Sequence, residues 1–220
     1  FNKKFPGIYY RKRGKRKQLF TKSLVKGQRV YGERIVREKG DQYREWDPER
    51  SKLGAALLKG ISQTGIKEDS LILYLGSASG TTVSHLSDMC TEGMIFAVDL
   101  APRVMKDFYF MMKKRKNIAA FLASANHPEE YSQIPKVDIL FQDIAQRDQV
   151  RIFFKNYDKF LKEDGFGILS LKARSIDVTK KPGVIFKKVM KELNEKSVVV
   201  DYRKLSPYEK DHALFVVKKR

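Results

Sequence analysis

Cysteine is almost missing from this chain: its 220 residues contain one, Cys90. A single thiol excludes an intramolecular disulfide framework and any cysteine-rich zinc site. Histidine is scarce too, with three copies, and His85 and His127 have no partners at metal-ligand spacing, so both are read as structural and no metal site is expected. No uninterrupted apolar run reaches the roughly 18 residues of a spanning helix. The N-terminus carries charge but no apolar stretch of the signal-peptide kind. No Gly-Lys-Ser/Thr tripeptide is present, which removes a P-loop. Internal repeats and low-complexity tracts are absent as well. The expectation is a soluble, cytoplasmic protein with no membrane partner.

Positive charge is abundant. The chain holds 45 Lys and Arg against 26 Asp and Glu, a formal net charge of +19. Such a surplus attracts a polyanion, because neutralising phosphates releases their counterions. Residues 1–39 alone contain 14 Lys or Arg and only two acids, Glu33 and Glu38. The basic run at residues 11–17 sits among Phe5, Tyr9, Tyr10 and Phe20, which read as stacking faces for RNA. A membrane surface fits less well, since the segment lacks a sustained amphipathic helical pattern. At 42% hydrophobic the chain can bury a real core.

Residues 1–46 differ from the rest. Gly7, Gly14, Gly27, Gly32 and Gly40 punctuate short runs such as 7–10 and 29–31, the pattern of strands and turns. A small basic β domain is expected over 1–46. Trp46-Asp47-Pro48 closes it, with Asp47 placed to cap a helix that runs to about Lys59. From Leu71 apolar strands alternate with helices, predicting an α/β domain over 47–220. Strands are expected at 71–75, 94–98, 118–122, 137–141 and 166–171, and helices at 81–89, 102–114, 149–161 and 182–194. Gly165 is placed to end the connection before the fifth strand. Two last strands, 197–202 and 213–218, are joined by a loop too short for a crossover, so they should pair antiparallel. Ile185, Val189 and Leu193 recur at helical spacing and read as core. Lys113, Lys114, Arg115 and Lys116 read as a solvated run after a helix.

In an open α/β sheet the ligand sits beyond the carboxyl ends of the strands. The loop after the first strand reads Gly76-Ser77-Ala78-Ser79-Gly80-Thr81-Thr82. Small residues let a ligand approach the backbone, and the next helix presents free N–H groups. A dinucleotide fingerprint fails there: counted from Gly76, its other glycines fall on Ala78 and Thr81. The loop instead resembles the G-x-G/A-x-G loop of Rossmann-like methyltransferases that bind S-adenosylmethionine, whose methionine moiety would lie along residues 76–80. Asp99 ends the second strand, where a carboxylate can accept both ribose hydroxyls of an adenosine.

Five longer segments resemble fibrillarin: residues 46–56 (WDPERSKLGAA), 74–89 (YLGSASGTTVSHLSDM), 137–149 (VDILFQDIAQRDQ), 171–179 (LKARSIDVT) and 207–213 (PYEKDHA). The likeness runs from about Tyr31 to the C-terminus. It implies a Rossmann-like sheet, mostly parallel with an antiparallel last strand. It implies an S-adenosylmethionine-dependent RNA ribose 2′-O-methyltransferase that modifies guide-selected rRNA and tRNA nucleotides. The implied setting is a box C/D particle with guide RNA, target RNA, a Nop-family scaffold protein and a kink-turn-binding protein. No glycine- and arginine-rich N-terminal tail is seen, so the archaeal form is the nearer likeness. Cofactor contacts are implied at Gly76, Ala78, Gly80, Thr81, Thr82, Asp99, Leu100, Ser124, Ala125, Asp143, Ile144, Ala145 and Gln146. Two departures stand out. Asp99 replaces a longer acid, and Ser124 replaces an Asp that would accept from the adenine amino group, so a weaker contact is expected there.

An alcohol is a poor nucleophile until a base takes its proton. Lys52, Asp143 and Lys172, at the mouth of the sheet, fit that role, and the resemblance sets them in a Lys–Asp–Lys arrangement. A lysine serves as base only where burial and a neighbouring ammonium favour its neutral form. Lys52 is that neighbour for Lys172, and Asp143 is the alternative base. An acid or His near the last hairpin completes the set, with Asp211 and His212 as candidates and a purely structural His212 as the plainer reading. Arg174 is a candidate RNA contact beside Lys172. The competing readings are a non-catalytic RNA-binding scaffold subunit on a methyltransferase fold and, more distantly, a nicotinamide-dependent oxidoreductase.

Overall fold

A computed structural model describes residues 2–14 and 16–220. Lys15, part of the basic run, lies outside the described residues. The glycine-punctuated N-terminal segment forms five short strands: β1 (Asn2–Phe5), β2 (Ile8–Arg13), β3 (Arg16–Lys22), β4 (Ile35–Glu38) and β5 (Asp41–Glu45). They pair antiparallel in the order β1-β2-β3-β5-β4. Residues 29–31 are not a strand. The N–H groups of Val30 and Tyr31 donate to the Glu33 carboxylate at 3.0 and 2.9 Å, which takes them out of any ladder.

The remainder alternates as its apolar periodicity predicts. Strands β6 (Leu71–Leu75), β7 (Met94–Asp99), β8 (Ile118–Leu122), β9 (Val137–Gln142), β10 (Leu161–Lys172), β11 (Val198–Lys204) and β12 (His212–Lys218) form one sheet, in the order β11-β12-β10-β9-β6-β7-β8. β6 to β10 run parallel, and β12 lies antiparallel between β10 and β11. β10 starts at Leu161 rather than Phe166, with a register slip between those two residues, so Gly165 lies inside the strand. The helices are α1 (Lys52–Leu58), α2 (Thr81–Met89), α3 (Pro102–Met112), α4 (Gln149–Phe160), α5 (Ala173–Ile176) and α6 (Pro182–Lys196). A short 3₁₀ turn, Pro128–Tyr131, and α5 are the pieces not anticipated from the sequence. Among the described residues no helix is long and apolar enough to cross a membrane.

Period-2 alternation splits each strand between two cores. Ile72, Tyr74, Ile139, Phe141, Ile168, Leu214 and Val216 face α1, α2 and α3. Leu73, Leu75, Leu140, Leu169, Leu171, Phe215 and Val217 face α4 and α6, where Ile185, Val189 and Leu193 are buried as expected. Ile8, Tyr10, Leu19 and Trp46 join the first core, so the N-terminal sheet shares its interior with the larger one.

A buried charge cluster fastens that junction. Arg44 donates to Glu33 at 2.6 Å and to Asp88 of α2 at 2.7 Å, and Arg115 reaches the other oxygen of Asp88 at 2.8 Å. All four side chains are at most 1% exposed. Thr21 donates to the same carboxylate at 2.7 Å, and so does the Leu24 N–H at 3.0 Å. Two guanidiniums and two carboxylates with hydrogen-bonded geometry satisfy the demand that buried charge be paired. Arg115 is therefore not part of a solvated run, although its neighbours Lys113, Lys114 and Lys116 are exposed. His85 stacks on Trp46, ring centroids 4.6 Å apart, and is hydrogen-bonded to Thr21 and Tyr31, a structural role. Cys90 is buried and unpaired.

Candidate functional site

The chain runs outward from β6 to β7 and β8, then returns to place β9 on the other side of β6. That reversal opens a crevice at the carboxyl ends of β6 and β9, the usual ligand position in such sheets. Gly76 and Asp143 leave the sheet there side by side. The Asp143 N–H donates to Leu75 O at 2.8 Å, and the Gly76 N–H to Val98 O at 2.8 Å. Gly76 adopts φ 85°, and a Cβ at this position would lie 2.4 Å from the Asp143 carbonyl oxygen. Only glycine meets both conditions. Beyond it the loop turns through Ala78 (φ 45°) and Gly80 (φ 89°) into α2.

No side chain caps α2. The first-turn N–H groups of Thr81 and Thr82 have no intrahelical partner and suit an anionic group. Thr82 is bonded through its hydroxyl to Ser51 Oγ at 2.9 Å. Beneath the loop, burial pushes the Tyr74 hydroxyl well above its ordinary range, the Asp143 charge adds to this, and a hydrogen bond with Thr82 opposes it. Tyr74 stays neutral there.

Asp99 closes β7. Its Oδ2 accepts the Ala78 N–H at 2.8 Å and its Oδ1 the Ala101 N–H at 3.0 Å. The carboxylate is thus fixed in place, with lone pairs left for a diol. Leu100 beside it is 61% exposed, an apolar surface open to a ring. After β8, Ser124 donates its N–H to Glu130 Oε2 at 3.0 Å, and the Ala125 carbonyl accepts from Asn156 at 2.9 Å. The Glu130 carboxylate is thereby held beside the Ser124 backbone, and the Ser124 hydroxyl accepts the Asn126 N–H at 3.3 Å. Ile144 packs on the second core, Ala145 is exposed, and the Gln146 carbonyl accepts from Gln149 Nε2 at 2.8 Å. All the expected cofactor residues lie at the carboxyl end of the sheet: Asp99 at the tip of β7, Thr81 and Thr82 in the first turn of α2, and the others on the loops after β6, β7, β8 and β9. The donor set suits a ligand with a diol, an aromatic ring and a charged amino-acid end.

The expected catalytic residues lie at the same end of the sheet. Lys52 is the first residue of α1, whose N-cap is Ser51, accepting the Gly54 N–H at 3.2 Å. Asp47 does not cap this helix: its carboxylate is taken by the Glu49 N–H at 2.9 Å in a turn of its own. Lys52 Nζ lies 3.6 Å from Asp143 Oδ2. Lys172 and His212 are direct cross-strand partners on β10 and β12. By strand alternation they share the face on which Ile168 and Leu214 pack, the face α1 covers. The Lys172 backbone is held on both sides by Gln149 of α4, its N–H donating at 3.1 Å and its carbonyl accepting at 3.2 Å.

Asp211 does not reach this group. It pairs with Arg174 at 3.2 Å, and Arg174 also donates to the Val178 carbonyl at 2.6 Å. The acid at the cluster is instead Glu209, 3.7 Å from Lys52 Nζ. It lies within the fibrillarin-like segment 207–213, but no periodicity marks it. The aromatic stacking platform expected near the N-terminus is also not formed as read. Tyr10 and Phe20 are 5% and 0% exposed, and the Tyr9 ring meets Tyr43 edge-on at 5.0 Å. Tyr10 turns into the first core with Ile8 and Leu19, whereas Phe20 is buried on the opposite face of the sheet, across from Tyr9. Among the described residues no cluster of three or more His, Cys, Asp or Glu could hold a metal ion.

The family described as Fibrillarin matches residues 1–220. The fibrillarin-like rRNA/tRNA 2′-O-methyltransferase of Pyrococcus abyssi is 49% identical over 220 residues, spanning 98% of this chain and 96% of that protein. Aeropyrum pernix fibrillarin, crystallised with natively bound S-adenosyl-L-methionine, superposes with a TM-score of 0.88 at 44% identity, covering 96% of this chain and 94% of its own. A chain from a fibrillarin/Nop5p complex gives a TM-score of 0.89 at 40% identity, covering 98% of each chain.

Proposed function

The chain belongs to the fibrillarin family, and from that premise we propose that Lys52, Asp143, Lys172 and His212 carry out methyl transfer to a ribose 2′-hydroxyl. The protein is an S-adenosylmethionine-dependent rRNA/tRNA 2′-O-methyltransferase, like its relatives. When bound, S-adenosylmethionine supplies a methyl group on a sulfonium, which already contains a good leaving group. What is left to the protein is alignment and proton removal. The loop 76–80 and the open first turn of α2 hold the amino-acid end. Asp99 takes the ribose hydroxyls. Leu100, Ser124 and Ala125 receive the adenine, and residues 143–146 close the crevice.

One observation carries this reading. The Lys52–Asp143 pair stands beside Gly76 at the crevice, with Lys172 and His212 on the same face. Lys172 accepts the hydroxyl proton, Asp143 orients the ammonium that forms, and Lys52 adds positive charge opposite it. Asp143 takes over as base if Lys172 does not serve.

A Nop-family scaffold fits as partner, since a close structural relative is crystallised with Nop5p. The finer assembly, with box C/D guide RNA, target RNA and a kink-turn-binding protein in an archaeal cytoplasm, is part of the proposal. So is a division of labour in which base pairing by the guide chooses the nucleotide. Residues 47–220 bear the catalytic groups in this reading, and residues 1–46 are a small basic β domain packed against them. The test is reconstitution with guide, scaffold, kink-turn-binding protein, target RNA and methyl-labelled donor, followed by mapping of the label. The expected product is one ribose 2′-O-methyl per guide, lost in Lys172→Ala and Asp143→Ala. Label on a base, or none despite tight donor binding, refutes the reading. Near-normal turnover of Lys172→Ala removes Lys172 as the base.

A further inference from the structure

Lys52 has two carboxylates within 4 Å, one after β9 and one in the connection between β11 and β12. Asp143 Oδ2 lies at 3.6 Å and Glu209 Oε1 at 3.7 Å. Neither separation is a hydrogen bond, which needs about 2.7–3.2 Å. The ammonium is shared almost evenly and captured by neither. All three side chains are partly buried, 26%, 18% and 20% exposed. Their attraction is therefore weakly screened, though water still reaches it.

Glu209 is itself positioned. It sits in the connection between β11 and β12, and its other oxygen is 3.8 Å from His212 Nδ1. That nitrogen bonds the Lys210 carbonyl at 2.7 Å. A carbonyl only accepts, so Nδ1 carries a hydrogen and donates it to Lys210, which fixes the ring beside Glu209. The same connection is pinned to the end of β10 by the Ala173 N–H, which donates to Asp211 O at 3.0 Å, and by the Arg174–Asp211 pair.

We propose that Glu209 is a positioning residue for methyl transfer: it draws Lys52 away from Asp143 and so leaves the Asp143 carboxylate free to orient the reacting groups. The inference rests on the catalytic reading of Lys52 and Asp143. Without the Glu209 charge, Lys52 has one carboxylate within reach and closes on it. Asp143 then spends its lone pairs on Lys52. Neither contact is a hydrogen bond and water still reaches the ammonium, so the contacts add little to stability and the loss appears in turnover rather than in folding.

The test compares Glu209→Gln and Glu209→Asp with the wild type in the reconstituted particle, together with crystal structures of the three proteins. In Glu209→Gln, kcat is expected to fall about tenfold or more while KM for RNA stays within about twofold. Glu209→Asp, which keeps the charge, recovers part of the rate. In the Glu209→Gln crystal, Lys52 Nζ moves to hydrogen-bonding distance of Asp143. Wild-type kcat in Glu209→Gln, or a Lys52 that has not moved, overturns the proposal. An equal loss in both variants overturns it too, because charge would then not be the cause. Should the wild type itself fail to methylate, the catalytic reading is wrong, and the Lys52–Asp143 distance in the crystals still decides the role of Glu209.

Discussion

Replacing Gly76 with alanine probes the crevice with a single carbon. Two costs follow from its surroundings. An L-residue in the left-handed region loses about 1–2 kcal/mol, and Gly76 has φ 85°. The new Cβ would also lie 2.4 Å from the Asp143 carbonyl oxygen, with a backbone carbon next nearest at 2.9 Å. Backbone cannot swing aside as a side-chain tip does. The loops after β6 and β9 must part by about 1 Å to restore ordinary contact. The parting carries Asp143 with it, and a misplacement of about 1 Å at a reacting group costs about a hundredfold in rate.

Gly76→Ala should therefore melt at least about 2–8 °C lower, since about 1 kcal/mol shifts a chain of this size by about 2–4 °C. It should bind S-adenosylmethionine at least about tenfold more weakly by calorimetry, which corresponds to about 1.4 kcal/mol. Gly183→Ala is the control. It lies in α6 with nothing within 4 Å of its Cβ and no left-handed φ, so its Tm holds or rises slightly. If Gly76→Ala binds the donor like the wild type and melts no lower than the control, the crevice is not where this geometry places it.

Two further outcomes concern stability. Asp88→Asn keeps the shape of a side chain that is 0% exposed but leaves Arg44 and Arg115 with Glu33 alone. Breaking a buried pair in this way costs about 3–5 kcal/mol, read as a drop in Tm; a drop under about 1 °C, less than the shift for even 1 kcal/mol, would show that the cluster adds nothing. Acid should weaken the same seam. At Glu33 burial favours the neutral acid, but Arg44 and the N–H groups of Tyr31 and Val30 outweigh it and hold the carboxyl below its usual range. At Asp201, on β11 and away from the seam, burial is likewise outweighed, by hydrogen bonds from Ser62. A depressed carboxyl stabilises the fold fully above its unfolded pKa, about 4, and loses that contribution as pH falls through the folded value. Tm should thus fall from about pH 4 downward, less steeply in Glu33→Gln, and an unchanged slope in that variant would remove Glu33 from the account.

The parallel sheet was legible because β6, β7, β8 and β9 are short, largely apolar runs that end at or just before a small or acidic residue. Residues 71–75, 81–89 and 118–122 have the predicted bounds. The crevice followed, since a strand-end position fixes where Gly76, Asp99 and Asp143 must emerge. What stayed hidden depends on partners distant in the chain. Asp47 and Ser51 are both good caps before the same apolar stretch, and the contact of Ser51 with Thr82 goes with the second. Nothing in a row of four basic residues singles out Arg115, whose carboxylate partner lies 27 positions earlier. Glu209 meets Lys52 only once the last hairpin has folded over α1.

Asp88 stands at the tail of a helix whose head faces the donor crevice. Cutting the chain near Trp46 would strip away Arg44 and Glu33 together, and would leave Asp88 and Arg115 under a bared apolar floor. The smallest piece able to work is then larger than the methyltransferase sheet by itself. A chimera that trades one sheet between relatives must carry the charged residues on both sides of the seam as a matched set.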